Sequence, residues 1–162
     1  MTPPTVTPST VVTAQHRRGL LDTNTVILLP RLTDPTALPE EPLISAITLG
    51  ELSVGPLVAT SEQEQAARQA QVQQAEADFD PLPFDVSAAR AFGRVAASLR
   101  RAGRKPTARA YDAMIAAVAV AHDLPLYTCN TDDFDGIEDL HVVAVPHPDH
   151  VPEQRTASGP VS

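Results

Sequence analysis

The chain has 162 residues, which fits one domain with a single sizeable core. Hydrophobic residues make up 43% and charged residues 20%, a soluble globular balance that excludes collagen-like, coiled-coil-only and disulfide-scaffold proteins. The lone cysteine, Cys129, excludes an intrachain disulfide and favours a reducing compartment. No apolar run approaches the roughly 20 residues of a membrane span, and the N-terminus lacks the pattern of a secretory signal. We therefore expect a cytoplasmic protein.

The net charge of −8 argues against a nonspecific nucleic-acid binder, because phosphate contacts need cations. The charge is unevenly distributed, however, since residues 90–109 contain seven basic residues and no acid, and we call this segment the basic strip. Its members are Arg90, Arg94, Arg100, Arg101, Arg104, Lys105 and Arg109. The remainder of the chain has 5 basic and 20 acidic residues, a charge of −15. A solvated helix face and loop is one explanation for such a strip.

Short apolar segments alternate with longer helical patterns along the chain. We predict disordered tails over residues 1–18 and 146–162, which are rich in proline and small or polar residues, and a folded domain over 19–145. Predicted strands lie at 19–21, 42–46, 79–84, 126–128 and 141–145, and predicted helices at 23–29, 48–52, 61–78, 86–101 and 110–122. This alternation favours an α/β fold with a central, mostly parallel sheet flanked by helices. Sites in such folds form beyond the carboxyl ends of the strands.

Two acids, Asp22 and Glu51, lie at positions that either a structural or a chemical role would explain. Asp22 directly follows the first predicted strand, and a buried carboxylate there costs several kcal/mol unless it is paired or binds a metal. Asp is also a preferred N-cap for the helix that follows. Glu51 lies three residues after Thr48, and the pair matches a capping box, which would be a complete structural reason for the glutamate.

Further acids follow the same pattern of position. Asp112 lies in the first turn of an apolar predicted helix, where it would also complement the helix dipole. Asp132 and Asp133 follow the strand at 126–128, in a sequence typical of an Asx-turn. All of these places converge on one edge of a parallel sheet, where carboxylates would repel one another unless a cation neutralised them. Oxygen ligands without a nearby histidine or cysteine set suit Mg²⁺ or Mn²⁺ rather than zinc.

Four segments in order resemble the motifs of PIN-domain ribonucleases, and most closely those of the VapC-type toxins of bacterial toxin–antitoxin pairs. The segments are LLDTN at 20–24, ITLGEL at 47–52, DAMIAA at 112–117 and LYTCNTDDF at 126–134. The resemblance covers residues 19–145 and implies a PIN-like three-layer fold with a mostly parallel sheet. It implies a Mg²⁺- or Mn²⁺-dependent endoribonuclease that hydrolyses single-stranded or loop RNA and leaves a 5′-phosphate.

The resemblance also assigns residues. The positions that match its catalytic acids are Asp22, Glu51, Asp112 and Asp133. Asp22 and Asp112 match the principal metal ligands, and Thr23 matches the hydroxyl residue beside the first acid. The fourth position is open between Asp133, its neighbour Asp132 and Asn130, and we predict Asp133, with Asn130 as a neutral ligand or substrate contact.

The resemblance gives the basic strip a second explanation, because the strip ends just before Asp112. We expect it to guide RNA toward the acids through phosphate contacts. The residues expected to do so are Arg100, Arg101, Arg104 and Lys105. Implied partners are RNA, a VapB-type antitoxin that blocks the pocket, and a second copy of the chain, with a toxin–antitoxin hetero-oligomer as the assembly and no membrane.

Two other interpretations use the same residues. An aspartate-nucleophile phosphatase would place its nucleophile at Asp22, but such enzymes usually have Asp-x-Asp, and this chain has Asn24 at the second place and only one lysine, Lys105. A non-catalytic interaction module would use the acids only as caps and turns.

Overall fold

The computed structural model describes residues 16–150. Its strands are β1 (Arg18–Leu21), β2 (Glu41–Leu43), β3 (Leu126–Thr128) and β4 (Val142–Ala144). Its helices are α1 (Thr23–Leu28), α2 (Ala46–Val54), α3 (Glu62–Asp78), α4 (Val86–Arg101) and α5 (Ala110–Ala121), with short 3₁₀ segments between them. No helix in this part of the chain has the length and apolar character needed to cross a membrane.

The four strands form one parallel sheet in the order β2-β1-β3-β4. Leu20 of β1 is in register with Leu43 on one side and Leu126 on the other. β1 and β3 therefore lie side by side in the middle of the sheet, although more than a hundred residues separate them in sequence. The prediction of a strand at 79–84 is wrong, because this segment makes only a single bridge, between Leu82 and Ser45.

Helices cover both faces of the sheet, which confirms the predicted three-layer arrangement. Successive strand residues point to opposite faces, and each face has its own apolar cluster. Leu20 and Leu126 pack with α4 and α5, whereas Leu21 and Tyr127 pack with α1, α2 and α3. The sheet is thus buried on both sides, as parallel sheets generally are.

The start of α2 differs from the sequence prediction. Ser45, not Thr48, caps this helix, and its hydroxyl accepts the Thr48 backbone N–H at 3.2 Å. The helix begins at Ala46, so Glu51 lies in its second turn and the predicted Thr48–Glu51 capping box is wrong. Ser is as good a cap as Thr, and the start at Ser45 leaves the Glu51 carboxylate free for another partner.

The predicted tails lie mainly outside the described residues, which exclude 1–15 and 151–162. The parts that are described belong to the fold: Arg18 opens β1, and Asp149 forms an ion pair with Arg31.

Candidate active site

Asp22 lies at the carboxyl end of β1 and is only 2% exposed. One carboxylate oxygen accepts the Thr25 backbone N–H at 3.1 Å, so the residue caps α1, as one of the two interpretations of the sequence predicts. The other oxygen accepts the hydroxyl of Thr128, at the end of β3, at 2.8 Å. Burial raises the pKa of Asp22, and these hydrogen bonds oppose that rise without cancelling it.

Glu51 is held against the same edge by two threonines. The Thr23 hydroxyl donates to Glu51 Oε1 at 2.8 Å, and Thr23 Oγ1 also lies 3.0 Å from Thr48 Oγ1. Because the single Thr23 proton goes to the carboxylate, Thr48 donates to Thr23. This hydroxyl relay ties the second turn of α2 to the end of β1 and fixes one oxygen of Glu51.

Three carboxylates share this place: Asp22, Glu51 and Asp112, which we call the acidic edge. Burial raises the pKa of Glu51, and the negative charges of Asp112 and Asp22 raise it further. The pKa of Asp112 is also raised, first by burial and then by the charge of Asp22. None of the three forms an ion pair within residues 16–150. The acidic edge therefore has negative charge that the described protein groups do not neutralise.

Asp133 lies in different surroundings. Its side chain is 12% exposed and forms an ion pair with Arg109, just before α5. It is not among the charges that raise the pKa values of Glu51 and Asp112, whereas Arg109 lowers the pKa of Asp112. Asn130 is exposed, and its backbone N–H donates to Thr128 Oγ1 at 3.0 Å. The structure thus brings three of the four predicted acids together and separates the fourth from them by an arginine.

Part of the basic strip is engaged in contacts within the protein. Four of its members contact residues 132–139: Arg94 with Asp139, Arg101 with Glu138, Arg104 with the carbonyls of Asp132 and Asp135, and Arg109 with Asp133. The other three, Arg90, Arg100 and Lys105, form no ion pair in the described part of the chain. The strip therefore both anchors the acidic loop after β3 and presents free cations.

The acidic edge fits a hard divalent cation by charge and donor type. No group of three or more His, Cys, Asp or Glu side chains among residues 16–150 has the arrangement that would hold a metal ion by itself. Mg²⁺ does not require such a cage, because it usually keeps several waters and binds through one or two carboxylates. Asp22 and Asp112 supply carboxylate oxygens whose pKa values are raised by burial and, for Asp112, also by the charge of Asp22, and a bound cation would offset both effects.

Sequence reasoning missed two residues of this site, Thr48 and Thr128. Both are completely buried, and their hydroxyls support Glu51 (through Thr23) and Asp22. A signal was present for Thr128, since a hydroxyl residue ends a buried strand that the prediction placed at the same sheet edge as Asp22.

Thr128→Val is expected to weaken Mn²⁺ binding about 10- to 100-fold, the usual effect of removing a partner that orients a metal ligand. The substitution keeps the shape of the side chain but removes the hydrogen bond to Asp22, so the pKa of Asp22 rises further. Calorimetric titration with Mn²⁺ measures the affinity. The matched control is Thr33→Val, at an exposed threonine, which should bind as wild type. Equal affinities for wild type and Thr128→Val would show that Thr128 does not position Asp22.

Comparison with known proteins agrees with this geometry. The family model described as PIN domain matches residues 20–140. Ribonuclease VapC5 of Mycobacterium tuberculosis is 36% identical over 132 residues, which cover 78% of this chain and 95% of the relative. Ribonuclease VapC of Rickettsia bellii is 28% identical over 130 residues, covering 78% of this chain and 96% of the relative.

Solved structures give the same result. A crystal structure of a member of the VapBC family of toxin–antitoxin systems, VapBC-5 from Mycobacterium tuberculosis, matches with a TM-score of 0.69 and 33% identity, covering 80% of this chain and 99% of that one. DNA-bound VapBC from Salmonella typhimurium matches with a TM-score of 0.63 and 27% identity, covering 79% and 97%. The sequence motifs, the three-layer fold and these matches together show that the chain belongs to the PIN-domain family.

Proposed function

We propose that this protein is a metal-dependent endoribonuclease and the toxin of a VapBC-type toxin–antitoxin pair. The observation that carries the proposal is the convergence of Asp22, Glu51 and Asp112 at one sheet edge. Membership of the PIN-domain family and 36% identity to a protein named a ribonuclease support the activity. RNA as substrate and an antitoxin as partner agree with a place in the cytoplasm.

The residues divide the chemistry among them. Asp22 and Asp112 would hold the cation, Mg²⁺ with Mn²⁺ as a substitute, and the ion when bound lowers the pKa of water and neutralises phosphate charge. Glu51 accepts the Thr23 hydroxyl on Oε1, which leaves Oε2 to orient a water or accept its proton. Asp133 is the fourth acid that the resemblance implies, although its ion pair with Arg109 separates it from the other three, and Asn130 would provide an amide for substrate contact.

The activity is tested directly by incubating the purified chain with an RNA that contains unpaired loops. We expect cleavage in Mg²⁺ or Mn²⁺, none in EDTA, and products that carry a 5′-phosphate. Hydrolysis of a small phosphate ester through a trapped aspartyl-phosphate would instead identify a phosphatase. Inactivity on both substrates, from a folded protein that binds its partner, would identify a non-catalytic module.

The partners follow from the relatives, whose solved structures are VapBC complexes, including one bound to DNA. We propose a VapB-type antitoxin, a homodimer of the toxin, and a hetero-oligomer of the two. An antitoxin segment with a cationic side chain would be attracted to the uncompensated charge of the acidic edge. Co-expression with the protein encoded beside this one tests the proposal, which requires a stable complex with reduced RNA cleavage.

The free cations of the basic strip give a prediction about RNA affinity. Replacing Arg100 and Lys105 with alanine should lower the slope of log affinity against log salt by about 1.4, since each phosphate contact contributes about 0.7 on a single strand. Fluorescence anisotropy of a single-stranded RNA, titrated in EDTA between about 50 and 200 mM salt, measures the slope.

The matched control is the double variant Arg94→Ala/Arg101→Ala, which removes the same charge from cations already paired with Asp139 and Glu138. Its slope should change less. Equal changes in both double variants, or none in either, would show that the strip does not contact RNA through its free members.

A further inference from the structure

Beside the acidic edge lies an open cleft lined by Glu51, Asp112, Thr107, Arg109 and Tyr111, which we call the Tyr111 cleft. Its volume of about 620 Å³ falls within the range of small-molecule sites. Two members of the acidic edge form part of its wall, so a ligand in the cleft would lie next to the proposed reaction centre.

Tyr111 is an unusual aromatic residue for this chain. The protein has four Phe, two Tyr and no Trp, all within the described residues. Tyr111 is 61% exposed, whereas the other five are buried or half-buried. It lies in the first turn of α5, directly before Asp112. A large aromatic face therefore lies open in the cleft that Asp112 also lines.

Arg109 places a positive charge in the same cleft. The Arg109 Nη1 donates to Asp133, and the arginine side chain is 49% exposed. A guanidinium has five N–H donors, so the pair with Asp133 leaves donors for a second acceptor. The charge of Arg109 acts on the acidic edge, since it lowers the pKa of Asp112. Asp133 thereby holds a cation in the wall of the cleft that Glu51 and Asp112 also line.

An aromatic face and a fixed guanidinium are the two features with which proteins bind unpaired nucleotides. We propose that the Tyr111 cleft is the subsite for an unpaired nucleotide next to the scissile phosphate, with the base stacked on Tyr111 and a phosphate oxygen accepting from Arg109. Asp133 is then a positioning residue for Arg109. The inference rests on the proposed function and adds to it a base-stacking subsite, which would explain the use of single-stranded or loop RNA that the resemblance implies, because a paired base must first be unstacked to reach Tyr111.

A cationic peptide segment is the alternative occupant, and the position of Arg109 argues against it. The guanidinium lines the cleft, so it repels a basic side chain at the place where it attracts a phosphate. A basic side chain attracted to the acidic edge would therefore have to bind away from Arg109.

The test measures binding of two fluorescent probes in EDTA, where no cleavage occurs: a decauridylate RNA and a decamer of the same backbone without bases. Tyr111→Ala should weaken decauridylate binding on the order of 5- to 150-fold, the usual effect of losing one base–aromatic stack. Tyr111→Phe should bind as wild type, and neither variant should change binding of the abasic probe. Arg109→Gln should weaken both probes and lower the salt slope by about 0.7.

A spectroscopic readout reports the stack itself. Because the chain has no Trp, its emission comes from Tyr111 and the buried Tyr127. Decauridylate should quench tyrosine emission in the wild type but not in Tyr111→Phe, and the abasic probe should quench neither.

The outcomes separate the subsite from the activity. If the wild type cleaves RNA and Tyr111→Ala binds decauridylate equally well, the subsite is wrong and the proposed function stands. If the wild type cleaves no RNA but the Tyr111-dependent quenching is present, the proposed function fails and the nucleotide site remains. If Tyr111→Ala weakens only antitoxin binding, the cleft is a partner contact and the inference is overturned.

Discussion

Asp22→Asn is expected to reduce metal-dependent RNA cleavage on the order of a thousandfold and, at the same time, to stabilise the metal-free protein. The loss in rate follows from removing a proposed cation ligand, because a metal ion supplies several kcal/mol of charge stabilisation and about 4 kcal/mol corresponds to a thousandfold. The gain in stability follows from removing a charge that is buried and repelled by Glu51 and Asp112.

The substitution leaves the local fold intact, because Asn is as good an N-cap as Asp and its oxygen can still accept the Thr25 N–H. The melting temperature should rise by a few degrees, since about 1 kcal/mol shifts it by 2–4 °C in a domain of this size. Cleavage rates in Mn²⁺ and thermal melts in EDTA give the two measurements.

Asp123→Asn is the matched control. Asp123 is exposed just after α5 and has a φ of 53°, a conformation that Asn adopts readily. This control should cleave and melt as wild type. An Asp22→Asn variant that still cleaves RNA at more than a tenth of the wild-type rate would exclude Asp22 as a metal ligand.

Divalent metal is expected to raise the melting temperature by about 5–10 °C when present at a hundredfold excess over its dissociation constant, which corresponds to about 2.7 kcal/mol. The shift should be larger at pH 7.5 than at pH 5, because metal binds the ionised carboxylates. Thermal melts with Mg²⁺, Mn²⁺ or EDTA across this pH range test the prediction.

The stability of the metal-free protein should fall as pH rises, whereas the shift caused by metal should grow. Asp22, Glu51 and Asp112 have pKa values raised by folding, so in the window from about pH 4 up to those raised values the folded state binds more protons than the unfolded state. Stability contributed by these groups is present at the acidic end of the window and is lost as pH rises through it.

Three other carboxylates, the exposed Asp34 and Glu138 and the half-buried Glu64, affect stability in the opposite direction at still lower pH. The pKa values of Asp34, Glu64 and Glu138 are lowered by hydrogen bonds, so their contribution is lost as pH falls through those values. The metal-free melting temperature should therefore be highest at mildly acidic pH. A metal-free protein that becomes more stable from pH 5 to pH 7.5, or an equal metal shift in Asp22→Asn and wild type, would contradict the proposed metal site.

The parallel sheet and its helices are predictable from the sequence because local patterns specify them. β1 and β3 are short apolar runs, and the predicted end of β1, directly before Asp22, agrees with the structure. The start of α2 is less certain from sequence, because Ser45 and Thr48 are both good caps and only the completed fold selects between them. The strand predicted around Leu82 does not form, because this segment makes only one isolated bridge with its neighbour despite its apolar pattern.

The acidic edge was predictable for a topological reason, since each of its acids follows a strand or begins a helix at the same end of the sheet. The surroundings of Asp133 were not, because its partner Arg109 is 24 residues away and no local pattern encodes that pair. The contacts of the basic strip were not predictable either, because four of its members bind the loop after β3, which is distant in sequence. Sequence reasoning therefore located the carboxylates better than it located the cations around them.

The hydrogen bond between Thr128 and Asp22 joins residues 106 positions apart. β3 inserts between β1 and β4, so the strand that completes the surroundings of Asp22 is synthesised only after all five helices of the described residues. Contacts of such long sequence separation also form slowly. A nascent chain that ends before β3 consequently contains Asp22, Glu51 and Asp112 but lacks the Thr128 hydroxyl that donates to Asp22, so the acidic edge is complete only after β3 has been synthesised.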